Sequence, residues 1–536
     1  MENKIFTGKY ILLLVILGLS CSKDFMDRPP EDALTMDNFY KTEEQVNAST
    51  AALYGFPWFE IADKALWTIG EIYSGNMRYT HADHGQFYVF GVTPTNQFVN
   101  EAWNSLFRVI AHSNSVINNV PEMAGESVSE SLKLRVVGEA RYMRAVAYFY
   151  LVRLYGPVPI IENNSEIVFE SEIPKNRVED VFQLIIQDLE YAIQNCAESY
   201  SGNDAGRITK WATEGMLAKV YLSRAGWNQN GTRNQADLDL AAQYAGDVIN
   251  NSGLELVANY ADLFKYGDEY ENSEESLFAL QWVACQLWGT QNTTQAFWAK
   301  NSTLTGTGDG WGGGLGPTID LQDAYEAGDL RRHATIMQDG DYYPELLQSQ
   351  GGYTYVVAPD DDESESGTFA SIRKYIVGTP DDNEEDVCSM SNGLNTYMQR
   401  LSDVYLIYAE AILGNNASTS DVNAINAFNA VRNRAGLAGK SSITFDDILH
   451  ERRIEFAFES SYWYDLVNLH YWNSQKAIDI IKNQERGSYY WDNGVKTLDS
   501  YKAEIVNDDD FTLPIPVTEI DQNPLLGEDP VPYNFD

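Results

Sequence analysis

"EARYMRAVAYFYLVRLYGPVP", residues 139–159, decides the fold. Ala140, Met143, Ala147, Tyr150, Leu151 and Leu154 return every three or four positions, the period of one helix face, and Gly156 with Pro157 stops the run. A helix this apolar must lie against others. The same period runs through "RVEDVFQLIIQDLEYAI" at Val181, Leu184, Ile185, Leu189 and Ala192. It returns in "RLSDVYLIYAEAIL" at Leu401, Val404, Tyr405, Tyr408, Ala411 and Ile412. "TKWATEGMLAKVYLSRAG" and "VNAINAFNAVRNRAGL" complete the set, each with the Ala-Gly pair expected of a glycine C-cap. Antiparallel helix pairs follow, of tetratricopeptide length though without that motif's strict repeat.

Between these segments, residues 70–100 and 282–400 are rich in Gly, Asn, Asp, Thr and aromatic residues and keep no sustained period. Long irregular segments in a compact protein are functional or disordered, and this density of Trp and Tyr argues for order. The expected architecture is therefore mainly α, with ordered loops carried on a helical scaffold. A formal charge of −41 argues against nucleic acid, which selects clustered Lys and Arg, and disfavours anionic ligands generally.

The N-terminus is a targeting segment. Lys4 and Lys9 precede an apolar run from Tyr10 to Leu19, too short for a stable transmembrane helix, and "LGLSC" then places small residues before Cys21. That cysteine stands where a bacterial lipoprotein carries its acylated N-terminus, although Gly18 occupies a position where Leu is usual. Cleavage before Cys21 removes Glu2, Lys4 and Lys9 and makes the mature chain one charge more negative. Cys196, Cys285 and Cys388 are odd in number and widely spaced, so they are expected to be buried thiols and not a disulfide framework or zinc site.

Six blocks, "GEARYMRAVAYFYLVRLYGPVPI", "GRITKWATEGMLAKVYL", "RLSDVYLIYAEAI", "FNAVRNRAGL", "ILHERRIEFAFESSYWYDLV" and "LPIPVTEIDQNPLL", resemble in this order the signature blocks of the SusD/RagB family of outer-membrane lipoproteins. The resemblance covers nearly the whole mature chain. Ser460 and Ser461 stand where the family commonly has Gly and a basic residue. What the resemblance implies is a tetratricopeptide-like helical scaffold with a large irregular half, lipid-anchored at Cys21 on the outer face of the outer membrane. It divides the chain into a signal peptide at 1–20, an N-terminal region with helical hairpins at 21–235, and a C-terminal region with ligand loops and closing hairpins at 236–536. Such a protein captures a glycan, or in some branches a peptide, and hands it to a TonB-dependent transporter of the SusC type. It is no enzyme and needs no cofactor or metal.

A glycan site wants exposed aromatic faces for sugar C–H groups, with planar polar partners for hydroxyls. Residues 73–90 and 282–311 offer these types. The candidates are Trp311, Trp288, Trp298, Tyr79 and Tyr88, with Tyr73 and Phe87 beside them and Asn76, Arg78, Asp83, Asn292 and Asp309 as polar neighbours. Trp311 stands out because "GTGDGWGGGLGPT", residues 306–318, surrounds it with glycines that offer nothing to pack on. Ordinary loop packing is the competing role for each aromatic, since large rings are mostly buried.

Other motifs carry less. An exported glycoside hydrolase is the alternative outside the family, because paired carboxylates are the requirement and carboxylates abound. Glu451, Arg452, Arg453, Glu455 and Glu459 resemble a charged active-site helix, entered through a Thr444–Asp447 capping box, but spacings of three and four favour structural ion pairs along the helix. Gly308, Gly310 and Gly313 satisfy G-x-G-x-x-G without a preceding strand, and "GKS" at 439–441 lacks the first glycine of a phosphate loop. His81, Asp83 and His84, and the acidic runs from Asp360 and Asp381, are expected to be solvated loops and not metal sites.

Overall fold

The computed structural model describes residues 39–79, 82–165, 167–168, 172–267, 269–357 and 369–535. The signal segment, Cys21, His81 and the acidic run from Asp360 lie outside the described residues. The protein is mainly α. Its long helices are α1 (Gln97–Met123), α2 (Glu130–Tyr155), α3 (Val178–Asn195), α4 (Lys210–Gly226), α5 (Gln235–Asn251), α6 (Leu401–Leu413), α7 (Val422–Arg434), α8 (Phe445–Glu455) and α9 (Tyr462–Asn483). Each from α1 to α7 packs on the next, so the stack runs without interruption across position 235 and across the long insertion between α5 and α6.

The quoted stretch forms α2, buried on nearly every side from Val136 to Tyr155 because α1 and α3 cover opposite faces. It ends at Gly156, whose φ of 68° only glycine adopts freely. α6 departs from the expected single face. Leu406, Ile407, Ala409 and Leu413 are buried along with Leu401 and Val404, whereas Tyr405, Tyr408 and Ile412 are only half-buried. Its contacts with α4, α5, α7 and α8 on different sides explain the difference.

The two Ala-Gly endings diverge. After α7, Gly436 (φ 78°) donates to the Asn433 carbonyl and Leu437 to that of Arg432, both at 3.0 Å, a Schellman ending as expected. Gly226 instead remains inside α4. A Cβ there would stand 2.9 Å from Trp472 Cδ1, so its role is close approach of α4 to α9. Residues 70–100 are also more regular than their sequence suggests. Ile61–Ala65 and Thr68–Tyr73 are wide-wound π-type turns, Ala82–Tyr88 is helical, and α1 starts at Gln97 behind an Asn96 cap that accepts the Phe98 N–H at 2.9 Å. Asn and Ser along that long helix, Ser105, Ser113 and Asn114 among them buried, hide it from a composition reading.

The segment between α5 and α6 holds short strand pairs. Ser276–Leu280 lies antiparallel to Thr396–Arg400, and Ile336–Gln338 to Ala370–Ile372. Met77–Arg78 pairs with Gly316–Pro317, which joins the N-terminal loops to the glycine-rich stretch. One correction concerns the cysteines: Cys285 and Cys388 form a disulfide, with Cα atoms 5.5 Å apart, while Cys196 is a buried thiol. A sequence separation of 103 between the two half-cystines gave no local signal of pairing.

The charged block from His450 to Ser460 does carry structural ion pairs, entered through the Thr444–Asp447 capping box. Its partners come from other elements and not from along the helix, which corrects the expected pairing. Glu455 meets Arg331, Arg400 and Arg434; Glu451 meets Arg331 and Arg432; Glu459 meets Arg400 and Lys374. Arg452 reaches Asp403 at 2.8 Å and Asp465 at 2.9 Å. Burial pushes the Glu455 carboxyl up, and Arg434, Arg400 and Arg331 together more than offset it, holding it well below the usual carboxylate range. Removing one member of a buried network strands the others. Arg400→Met is therefore expected to lose about 3–5 kcal/mol of stability, read as a lower urea midpoint by circular dichroism; an unchanged midpoint would show the network to be dispensable.

Candidate functional site

Glycine fixes Trp311 by letting the backbone come close. A Cβ on Gly312 would lie 2.3 Å from the Trp298 carbonyl oxygen, and one on Gly310 (φ 104°) 2.5 Å from the Asn301 carbonyl. Neither contact tolerates a side chain. With the loop pressed down, the Trp311 N–H donates to the Ala296 carbonyl and the Gly312 N–H to that of Ala299, each at 2.8 Å. Asp309 is buried beneath; it accepts from Thr307 Oγ1 at 2.6 Å and from the Met390 N–H at 2.5 Å. The indole itself stays 48% exposed and leans on the Phe297 ring, centroids 5.5 Å apart.

Trp288, 57% exposed, is held in a comparable way. Its loop folds on itself through Val283 N–H to the Thr290 carbonyl at 2.7 Å and Gly289 N–H to Gln291 Oε1 at 2.8 Å. The Trp288 ring meets Phe59 edge to face at 5.4 Å. Phe59 enters the π-type turn in which the Leu66 N–H bonds back five residues to Ile61, a winding that brings side chains five apart toward one face. Five residues on, the Lys64 ammonium lies 4.5 Å from the Phe297 centroid. Asp63 accepts from Thr293 Oγ1 at 2.7 Å, and burial raises its carboxyl above the ordinary value. One helical segment thus underlies both tryptophan loops.

Most of the remaining candidates are packed into the fold. Trp298 is 2% exposed, wedged among Trp67, Tyr375 and Phe458, with centroids 5.7–6.1 Å away. Asn76 is buried between Glu71, to which it donates at 3.0 Å, and Arg453, from which it accepts at 2.8 Å. Tyr88 is buried against Tyr501 and donates to the Arg486 carbonyl. Tyr79, half-buried, packs on Tyr88, and Arg78 sits in the strand pair opposite Gly316. Tyr73 and Phe87 are core residues, and Asn292 is buried with its amide on the Leu394 carbonyl at 2.7 Å. This burial takes Trp298, Asn76, Tyr88 and Asp309 out of direct reach of a ligand. Sequence reasoning did not single out Phe59, Lys64 or Phe297, which back the two exposed rings, because nothing in their local pattern separates them from core residues.

Among the other motifs, His84 is buried and stacked on Phe98 at 4.7 Å, and Asp382 caps a short helical turn through Thr379. A polar cavity of about 540 Å³ lies elsewhere, at the kink of α9, lined by Asp320, Arg453, Asn473 and Lys476.

Two exposed tryptophans thus stand on loops whose backbones are hydrogen-bonded into the fold. Comparison with known proteins gives the class of protein. The family model described as SusD family matches residues 264–531, and one described as starch-binding associating with outer membrane matches residues 24–222. A SusD-like protein of Bacteroides ovatus is 42% identical over 99% of this chain and 100% of its own length. A structure solved with xylogluco-oligosaccharide is 42% identical, with a TM-score of 0.83 over 92% of this chain and 99% of that one. A laminarin-binding SusD-like protein, 22% identical, shares the fold with a TM-score of 0.67 over 90% of this chain and 98% of its own. The chain belongs to the SusD family.

Proposed function

We propose that this protein binds a glycan on the ledge formed by Trp288 and Trp311, at the surface of the outer membrane, and delivers it to a SusC-type TonB-dependent transporter. The observation that carries the reading is the exposure of these two indoles on loops whose backbones are fixed before any ligand arrives. Fixed rings lose little entropy on binding, and flat faces suit the C–H surfaces of pyranose rings. The surplus of carboxylates favours a neutral polysaccharide over an anionic one. Relatives with a named ligand here bind saccharides, xylogluco-oligosaccharide at 42% identity and laminarin at the level of shared fold. That supports a glycan over a peptide.

Hydrolysis finds less support. The carboxylates that touch the two loops, Asp63 and Asp309, are engaged with Thr293, Thr307 and Met390. The reading is of capture without cleavage. Cys21 is the proposed lipid anchor, and the family description of outer-membrane association supports it. Two or more acyl chains give stable attachment. Cys21→Ala should abolish palmitate labelling and release the protein from outer-membrane fractions; retention of both would remove Cys21 as the anchor.

For the ledge, affinity and melting temperature are measured on the same samples against xyloglucan oligosaccharides and a wider neutral-glycan panel. Trp311→Ala and Trp288→Ala should each cost about 1–3 kcal/mol of binding, roughly five- to hundredfold, with little change in melting temperature. Trp298→Ala should instead lose about 3–5 kcal/mol of stability, as a buried aromatic does. Preserved affinity in both exposed-ring variants would reject the ledge.

A further inference from the structure

The loops that carry Trp288 and Trp311 are both fastened to one short turn, residues 388–392, that lies far along the chain from either. Cys388 bonds to Cys285, three residues before Trp288, and Ser391 Oγ accepts the Cys285 N–H at 2.8 Å. At the other end of that loop, Asn292 and Asn392 exchange backbone hydrogen bonds of 2.9 and 3.1 Å. The turn closes on itself through Cys388 N–H to the Ser391 carbonyl at 2.8 Å, with the reverse bond at 3.0 Å. From its middle, the Met390 N–H donates to Asp309, two residues before Trp311. The Asp309 side of this bond is buried. One turn of five residues therefore meets both ends of the first loop and the approach to the second.

We propose that the turn 388–392, secured by the Cys285–Cys388 disulfide, is a clamp that sets the position of Trp288 relative to Trp311 and so tunes the ledge to ligands long enough to span both rings. The inference rests on the ledge reading above. A ligand touching two fixed rings gains from their preorganised spacing, because contact with the second follows contact with the first without a further association cost. A ligand touching one ring gains nothing from the clamp. Cys285, Cys388, Met390 and Asp309 are positioning residues in this account, acting through the indoles without meeting the sugar. Export to an oxidising compartment permits the bond to form.

A global effect must be separated from a local one, since any disulfide closing a long loop also stabilises the whole fold. The experiment compares wild type with the Cys285→Ser/Cys388→Ser double variant, each with and without Trp288→Ala, against short and long xyloglucan oligosaccharides. Mass spectrometry after alkylation first establishes that the wild-type bond is formed; finding free thiols there overturns the proposal. Loss of the disulfide should weaken binding of the long oligosaccharide about five- to tenfold, leave the short one unchanged, and have no further effect once Trp288 is Ala. Equal affinity with and without the disulfide overturns the clamp. So does an equal loss in the Trp288→Ala background, which would mean general loosening. Should the double variant not fold, reduction of folded wild type, monitored by circular dichroism, gives the same comparison. Wild type that binds no member of the glycan panel fails the ledge reading itself, a result distinct from binding that ignores the disulfide.

Discussion

Three guanidinium groups converge on one buried carboxylate, Glu455 at the end of α8. Arg331 arrives from the loop half, Arg400 from the strand that leads into α6, and Arg434 from the last turn of α7. Glu275 shares Arg400 and Arg434 from the opposite side, and Glu459 takes the remaining face of Arg400. Buried charges are tolerated only when nearly every donor and acceptor is used, so each element supplying a partner is held in register with the rest. The helical stack and the loop half are joined by this constraint as much as by apolar packing. Arg453 extends it outward, to Asn76 at 2.8 Å and Asp320 at 2.6 Å, next to the strand pair that leads into the glycine-rich loop.

From that hub the rigidity of the surface follows in steps. The pair Met77–Arg78 with Gly316–Pro317 fixes the far end of the stretch containing Trp311, while Gly310 and Gly312 press its middle onto residues 298–301. Buried Trp298 fills the space beneath, and Phe297, its neighbour in sequence, turns outward to support the Trp311 ring. Adjacent aromatic residues thus serve opposite purposes, one for the core and one for the ledge. Gly310 and Gly312, on either side of Trp311, permit close backbone contacts that no side chain would allow.

The helical half was legible because burial imposes a period, and the residues of α3 keep it. α2 and α6 were legible only as helices, since contacts on several sides erase the distinction between faces. The capping box at Thr444 and the Schellman ending at Gly436 depend on side chains and glycines a few residues apart, and both could be read directly. Gly226 could not, because its constraint comes from Trp472, far along the chain. The same limit hid the Cys285–Cys388 bond and the partners of Glu455. For the proposed site, residue type marked the loops that carry the two exposed tryptophans, and the glycine context marked Trp311. Whether Trp298 or Trp288 faced solvent was decided by contacts with Trp67, Phe59 and Phe458 that no local pattern records.

The account turns on a ledge already formed before ligand binds. The most direct measurement is a crystal structure of the mature chain with a xyloglucan oligosaccharide, compared with the unliganded protein. The account predicts sugar rings lying across the indole faces of Trp288 and Trp311, with residues 285–292 and 306–318 displaced by no more than about 1 Å. A saccharide seated instead in the polar cavity beside Asp320, Arg453 and Lys476, or tryptophan loops rebuilt to receive it, would contradict it.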